Sequence, residues 1–152
     1  MELGESLRSP GHQKIAEKIR FHGHPMVRGT HRTTIEITTD PHLTQRGDCI
    51  IGVSADKGCL QLSEGLKSAI RRRGSKLSFR FLVEANDFEV QGQGDPGLLL
   101  TPPHDLVIRT SYFLSERTLG VGADAAAADI PRSIIRYLQD PNATGTLVIQ
   151  VQ

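Results

Sequence analysis

The sequence predicts a mainly β protein of the α+β class, with about eight strands and two helices. It is arranged either as a pseudo-two-fold β-barrel or as a two-sheet β-sandwich. The first observation behind this fold class is a repeat: Gly-Val-Ser-Ala-Asp at 52–56 recurs as Gly-Val-Gly-Ala-Asp at 120–124, an offset of 120 − 52 = 68 residues. The second is that each copy combines short strand-like segments with one amphipathic helix, and such a helix must pack against a sheet.

Other segments recur at similar offsets, in the same order. We therefore interpret residues 15–152 as a single domain made of two repeats, at about 18–84 and 87–152, preceded by a polar arm at 1–14 that we expect to be flexible. A barrel or a sandwich built from both repeats protects the sheet edges that two separate four-stranded sheets would expose. The further recurring segments are Gly-His-Pro at 23–25 with Gly-Asp-Pro at 94–96, and Ser-Phe-Arg-Phe at 78–81 with Val-Ile-Gln-Val at 148–151.

Strands are predicted where polar and apolar residues alternate, where β-branched residues are frequent, or where a short apolar run lies between turn residues. The run at 49–54 is nearly all apolar, which is typical of a strand buried on both faces. The eight predicted strands lie at 18–21, 33–38, 49–54, 76–83, 87–90, 105–109, 118–122 and 146–151.

One helix is predicted in each half. In the first half, Leu62, Leu66, Ala69 and Ile70 fall on one helical face, and Gly74 follows as a C-terminal glycine. The second half has an alanine run at 125–128, with Pro131 at an expected first helical position. Asp56 and Asp124, which precede the two helical stretches, are the expected N-caps.

Composition excludes several functional classes. The chain has 152 residues, of which 38% are apolar and 23% charged, and a net charge of +1, which argues against strong non-specific binding of nucleic acid by the domain as a whole. With no apolar run of about 18 residues and no apolar signal core at the start, we expect a cytoplasmic protein without a membrane span. Cys49 and Cys59 lack metal-site spacing, and we expect Cys49 to be a small hydrophobe in a buried strand.

Aromatic residues make up only 5% of the chain, and there is no tryptophan. Phe79 and Phe81 point to one face of a single predicted strand, which places them in the core. A stacking platform for single-stranded nucleic acid needs exposed aromatic rings, so these two are not expected to supply one.

The segment 18–32 carries four cationic side chains, three histidines and no acid. Because anion binding needs cations and hydroxyl or N–H donors that converge from a loop, we predict a pocket for an anionic ligand, either a phosphorylated metabolite or an RNA segment. The alternative is a solvated strand edge blunted by its charges. The predicted pocket residues are His24, Arg28, Thr30, His31, Arg32 and Thr34, with Glu36 positioning a histidine or an arginine.

An enzyme is the second functional hypothesis, with a histidine–carboxylate site near the Gly-His-Pro loop at 23–25. His31 with Glu36, or His104 with Asp105, would then act as general base and orienting acid. A metal bound by loop histidines is a weaker alternative, and we predict no metal site. The sequence identifies no cofactor and no oligomeric state.

Several of these motifs together resemble an archaeal family, domain-of-unknown-function family 371. The resemblance runs from about residue 18 to the end, with the motifs in the same order. It implies an archaeal-type cytoplasmic protein with a mainly β sandwich or barrel, and no particular activity. One departure is Ala125, where the second copy tends to have lysine, so that any role of Lys57 is not mirrored. The motifs are Gly23-His-Pro25, Thr30-His-Arg-Thr-Thr34 with Glu36, Arg46-Gly-Asp-Cys49, Ala55-Asp-Lys57, Arg117-Thr-Leu119 and Ala123-Asp124.

Overall fold

The structure, a computed structural model, describes residues 15–44 and 46–152, so the expected arm at 1–14 lies outside the described residues. The described residues form eight strands and two α-helices, which confirms the predicted mainly β, α+β class. The elements are β1 (Ile15–His22), β2 (Thr34–Thr38), β3 (Ile50–Gly52), α1 (Glu64–Ile70), β4 (Lys76–Val83), β5 (Asn86–Gln93), β6 (Asp105–Arg109), β7 (Thr118–Gly120), α2 (Arg132–Tyr137) and β8 (Thr144–Val151), with 3₁₀ turns at Cys59–Gln61 and Ala127–Asp129.

The strands form two four-stranded sheets. The first has the order β1-β8-β4-β5 and is antiparallel throughout. The second has the order β3-β2-β6-β7, with an antiparallel pair at its centre and parallel pairs at its edges. Isolated bridges between His22 and Val53 and between Gln93 and Val121 connect the edges of the two sheets. Of the two predicted architectures, the described residues form the two-sheet, sandwich-like one and no closed barrel.

The order of elements is the same in the two halves of the chain: three strands, a 3₁₀ turn, a helix and a strand. The last strands of the two halves, β4 and β8, pair at the centre of the first sheet, while β2 and β6 pair at the centre of the second. The division into two repeats stays a prediction.

The core lies between the sheets and under the helices. Phe79 and Phe81 are buried there, as expected, together with Phe21. The Phe21 ring lies against Gly52 of the opposite sheet, where an added Cβ would collide with it. Gly52 is therefore needed for the sheets to approach each other.

The predicted capping roles of Asp56 and Asp124 are wrong. Helix α1 begins eight residues after Asp56, with Ser63 as its N-cap accepting a hydrogen bond from the Leu66 N–H at 3.2 Å. The Asp56 carboxylate accepts instead from the Arg20 N–H at 3.1 Å, and Asp124 accepts from the Gln91 N–H at 2.9 Å. Each aspartate therefore ties the segment after an edge strand of one sheet to an edge strand of the other.

The alanine run at 125–128 does not form the predicted helix. It forms part of a 3₁₀ turn, in which Asp129 accepts from the Ala126 N–H at 2.8 Å. Ile130 precedes Pro131 and is extended, with φ −69° and ψ 134°, because a residue before proline is disfavoured in the helical region. Helix α2 therefore starts at Arg132, with Pro131 as its N-cap rather than its first residue.

Helix α1 ends at Ile70, and Gly74 follows with φ +76°, as expected for a C-terminal glycine. Within residues 15–44 and 46–152, the helices are too short to cross a membrane. The cytoplasmic location stays a prediction from the sequence.

Replacing Gly52 by alanine tests the contact between the sheets. Gly52→Ala should lower the free energy of unfolding by about 1–3 kcal/mol, because the new methyl group overpacks the site against Phe21. Gly65→Ala is the matched control: a Cβ at Gly65, in α1, meets no atom within 4 Å, so this change should raise stability by roughly 0.5–1 kcal/mol. Urea unfolding followed by circular dichroism measures both, and equal effects of the two substitutions would contradict the packing described.

Candidate functional site

The face of the second sheet that points away from the core carries buried polar side chains. Ile35 and Ile37 of β2 belong to the core, and successive side chains of a strand point to opposite faces. Thr34, Glu36 and Thr38 therefore face the other side, yet all three are buried. The register places them opposite the partners of β6, in the pairs Thr34 with Arg109, Glu36 with Val107 and Thr38 with Asp105.

Glu36 is the centre of this face, with a side chain that is only 6% exposed. The Cys49 thiol donates to Glu36 Oε1 at 3.5 Å, and Arg117 Nη1 lies 3.8 Å from Glu36 Oε2. Burial raises the pKa of Glu36 to about 7, and a hydrogen bond with Asp105 also raises it, while the charge of Arg117 opposes the shift. Glu36 therefore exchanges its proton near neutral pH.

Arg109 lies beside this carboxyl pair in a fixed position. Its Nε donates to Thr118 Oγ1 at 2.8 Å, its Nη2 donates to Ser115 Oγ at 3.0 Å, and its Cζ lies 5.2 Å from the centre of the Phe113 ring. Burial lowers the pKa of Arg109, and the positive charge of Arg117 lowers it further. The two positive charges therefore repel each other, while the negative charge of Glu36 opposes this effect at Arg109. We call Glu36, Asp105, Arg109 and Arg117 the carboxyl–arginine site.

The two thiols are poor nucleophiles. Burial, together with the charge of Glu36, raises the pKa of Cys49 to about 12, and burial raises that of Cys59 to about 12. Cys59 is completely buried, whereas Cys49 is half-buried. The prediction that Cys49 lies in a strand is wrong, because β3 begins at Ile50 and Cys49 turns its thiol towards Glu36 instead.

The structure brings part of the predicted anion pocket into this region. Thr34 and Glu36 share the outward face of β2. Thr33 connects His31 to them, because the Thr33 N–H donates to His31 Nδ1 at 3.2 Å and the Thr33 hydroxyl lies 3.3 Å from the Thr34 hydroxyl. The loop is held in place by the Asp48 carbonyl, which accepts from the N–H groups of Thr30 and His31.

Two of the other predicted pocket residues, His24 and Arg28, contact helix α2 rather than the outward face of the second sheet. His24 lies at the end of the helix, where its N–H donates to the Leu138 carbonyl and its Nδ1 accepts from the Met26 N–H at 3.0 Å. The Arg28 carbonyl accepts from Arg132 Nη1 at the start of the same helix. The side chains of Arg28, Thr30 and Arg32 are exposed. The contacts of His24 and Arg28 thus lie at opposite ends of α2.

The predicted pairs of histidine with carboxylate are differently engaged. His31 Nδ1 takes its hydrogen bond from Thr33, and His104 Nδ1 lies 2.6 Å from the Thr39 hydroxyl. Among residues 15–44 and 46–152, no three His, Cys, Asp or Glu side chains are arranged to hold a metal ion. Glu36, whose pKa is raised to about 7, adds acid–base capacity near neutral pH on β2 rather than in the loop at 23–25.

Sequence reasoning assigned no site role to Cys49, Arg109 or Arg117, and it paired Asp105 with His104 rather than with Glu36. The sequence did contain a signal that Glu36 has polar partners. Glu36 stands at the centre of a strand whose other face is apolar, and a buried carboxyl requires such partners. Asp105 and Arg109 are the two polar ends of a five-residue strand and point to the same face.

A separate cavity of about 560 Å³ opens where β5 approaches the end of β7. It lies on the side of Gly122, whose backbone contacts Tyr112. The residues that line it are Gly74, Lys76, Gln91, Gly92, Gln93, Gly122, Asp124 and Gln152, and none of them belongs to the predicted pocket.

Comparison with known proteins gives a family and one relative. Residues 19–152 match the family described as a domain of unknown function, DUF371. The chain is also 39% identical over 122 residues to a protein of Methanocaldococcus jannaschii that carries the name uncharacterized protein; the match covers 80% of this chain and 90% of the relative.

The raised pKa of Glu36 makes stability depend on pH. Glu36 has a pKa of about 7 in the folded state and the ordinary value of 4.5 in the unfolded state. The stability it contributes is therefore complete below pH 4.5 and is lost as the pH rises through 7. At about 1.4 kcal/mol for each pH unit, the loss is roughly 3 kcal/mol. Urea unfolding of wild type and Glu36→Gln at pH 5 and pH 8 measures it, because all other titrating groups are common to both proteins. Between these two pH values wild type should lose roughly 2–3 kcal/mol more than the variant, and parallel losses would contradict the assignment.

Proposed function

The chain belongs to the DUF371 family of domains of unknown function, and for this member we propose that the carboxyl–arginine site binds an oxyanion, namely the phosphate group of a metabolite or of an RNA segment. The observation that carries the proposal is the pair of arginines around the buried Glu36 carboxyl: Arg117 Nη1 lies 3.8 Å from Glu36 Oε2, and the charges of both Arg117 and Glu36 act on Arg109. While Glu36 holds its proton, its carboxyl neutralises neither arginine.

The geometry of the two arginines suits a bound anion. Thr118 and Ser115 occupy two of the five N–H donors of Arg109, which leaves further donors for a ligand. Arg117 is 47% exposed, and its nitrogen lies 3.8 Å from Glu36, a long and weak ion pair. The contacts described therefore leave donors on both guanidinium groups; Arg117 is exposed and Arg109 is half-buried.

The asymmetry of the site also supports a functional role. At the offset of 71 that relates Thr30 to Thr101, Glu36 corresponds to Val107, since 36 + 71 = 107. A purely structural feature of a repeated fold is expected in both copies, whereas the buried carboxyl occurs in one of them.

We further infer that the two halves derive from a duplication. Equivalent residues make equivalent contacts, as shown by the matching hydrogen bonds of Asp56 and Asp124. Likewise, Arg71 donates to the Leu98 carbonyl at 2.8 Å and Gln139 donates to the Val27 carbonyl at 2.9 Å.

Sulfate is a suitable first probe, because its charge does not change between pH 6 and pH 8. We expect wild type to bind sulfate on the order of tenfold more tightly at pH 6 than at pH 8, because protonation of Glu36 removes a negative charge a few ångströms from the anion. Glu36→Gln should bind equally well at both pH values. Titrations followed by amide NMR shifts give the dissociation constants.

Substitution of the arginines locates the anion. Arg109→Gln and Arg117→Gln should each weaken sulfate binding by about 10-fold or more, the loss of a charge-assisted hydrogen bond of roughly 1.5–3 kcal/mol. Arg80→Gln is the matched control, because Arg80 is an exposed arginine of β4 paired with Asp87 at 2.9 Å. If all three variants bind sulfate alike, or if wild type binds none, the proposal is wrong.

Acid–base catalysis is a second candidate, favoured by the pKa of about 7 at Glu36, which suits proton transfer at neutral pH. This places the enzymatic alternative at Glu36 rather than at the loop at 23–25. If the site is catalytic, p-nitrophenyl phosphate should be hydrolysed with a rate that changes near pH 7, and Glu36→Gln should abolish turnover while retaining sulfate binding at pH 6. Absence of turnover by wild type would remove this candidate and leave the binding proposal intact.

A further inference from the structure

An exposed aromatic ring beside Arg109 suggests what the anion is attached to. The segment before β7 presents Tyr112, Phe113 and Leu114 with 66%, 62% and 41% of their surfaces exposed. We propose that the ligand is a nucleotide unit, whose base stacks on Phe113 and Tyr112 while its phosphate lies on Arg109 and Arg117. This inference rests on the oxyanion site proposed above.

The Phe113 ring contacts the carboxyl–arginine site through Arg109. Its centre lies 5.2 Å from the Arg109 guanidinium, which is itself held by Thr118 and Ser115. One face of the ring is therefore supported by a cation, while most of its surface remains open to solvent. A planar base can stack on an aromatic face supported in this way.

Tyr112 is held by a different contact, with the residues that follow β7. Its ring lies against Gly122, where φ is +59° and an added Cβ would come within 2.8 Å of the tyrosine hydroxyl oxygen. Glycine is needed at 122 both for the positive φ and for the close approach of the ring. Two neighbouring aromatic side chains are thus each held from one side and exposed on the other.

The segment between the rings and β7 has a defined shape. Thr118, which is completely buried, accepts from the Ser115 N–H at 3.1 Å, and its hydroxyl donates to the Phe113 carbonyl at 3.3 Å. Leu114 lies close to Gly97 of the neighbouring loop, where an added Cβ would be 2.9 Å from its Cδ1. A preformed platform loses less conformational entropy when it binds a ligand.

Charge favours a nucleotide over an apolar peptide as the occupant. Arg109 lies against the Phe113 ring and is affected by the positive charge of Arg117, and a bound phosphate would relieve the repulsion between the two charges. A ligand that unites a planar ring with a phosphate anion fits both features. A free nucleotide and a single-stranded RNA segment share this chemistry.

The experiment compares adenosine monophosphate with ribose 5-phosphate, which has the phosphate but no base. Wild type should bind adenosine monophosphate about 5- to 100-fold more tightly, the range for stacking of one base. Phe113→Leu and Tyr112→Leu keep apolar bulk but remove the aromatic face, so each should reduce this preference. The ratio of the two affinities is measured within each protein, because the Phe113 ring also contacts Arg109. Leu60→Ala, at a residue 46% exposed outside the platform, is the control and should bind as wild type does.

A fluorescein-labelled 12-nucleotide oligoadenylate distinguishes the source of the nucleotide. Anisotropy titration showing much tighter binding than that of adenosine monophosphate would identify an RNA segment, and equal binding a free nucleotide; both support the inference. If wild type binds adenosine monophosphate and ribose 5-phosphate equally, or if Phe113→Leu leaves nucleotide binding unchanged, the inference is overturned and the oxyanion site stands. If neither phosphate ester nor sulfate binds, the oxyanion site fails and the nucleotide inference fails with it.

Discussion

The burial of one carboxyl group, that of Glu36, is the constraint on which the rest of the site depends. A charged carboxylate removed from water is costly unless it gains a proton or a partner, and Glu36 has access to both. Asp105 shares a hydrogen bond with it, Cys49 donates to it, and Arg117 approaches it from the segment before β7. These groups place ionisable side chains around β2, where a simple sheet would have inert ones.

The fold separates a regular scaffold from an irregular site. The inner faces of the sheets pack a conventional apolar core, in which Phe21 fits against Gly52. The two halves contribute similar elements to this core, tied at their edges by Asp56 and Asp124. The outward face of the second sheet has no such regularity, because Glu36 stands opposite Val107 across the central pair of strands. A rigid, nearly symmetric sheet can therefore hold an asymmetric group of side chains in place.

Local pattern predicted much of the fold and little of the site. Alternation identified the strands, and the apolar face of α1 placed Leu66 and Ile70 in the core. The roles of the two aspartates were beyond local pattern, because Asp56 binds the backbone of Arg20, 56 − 20 = 36 residues earlier. The same limit applies to the site: Arg109 is 109 − 36 = 73 residues from Glu36, and only the pairing of β2 with β6 brings them together. Thr34 and Glu36, which share one strand face, were the predicted residues that fall on it.

The most direct test is the protonation of Glu36 itself. A ¹³C NMR titration of the glutamate carboxyl carbons, with Glu36 assigned by comparison with Glu36→Gln, measures this pKa. In the absence of sulfate, the account predicts a midpoint of about 7 for wild type. Asp105→Asn removes the neighbouring carboxylate that opposes ionisation, so the midpoint in this variant should lie at lower pH. A midpoint near the ordinary value of 4.5 would mean that Glu36 is ionised at neutral pH, and the proton-sensitive oxyanion site would not exist.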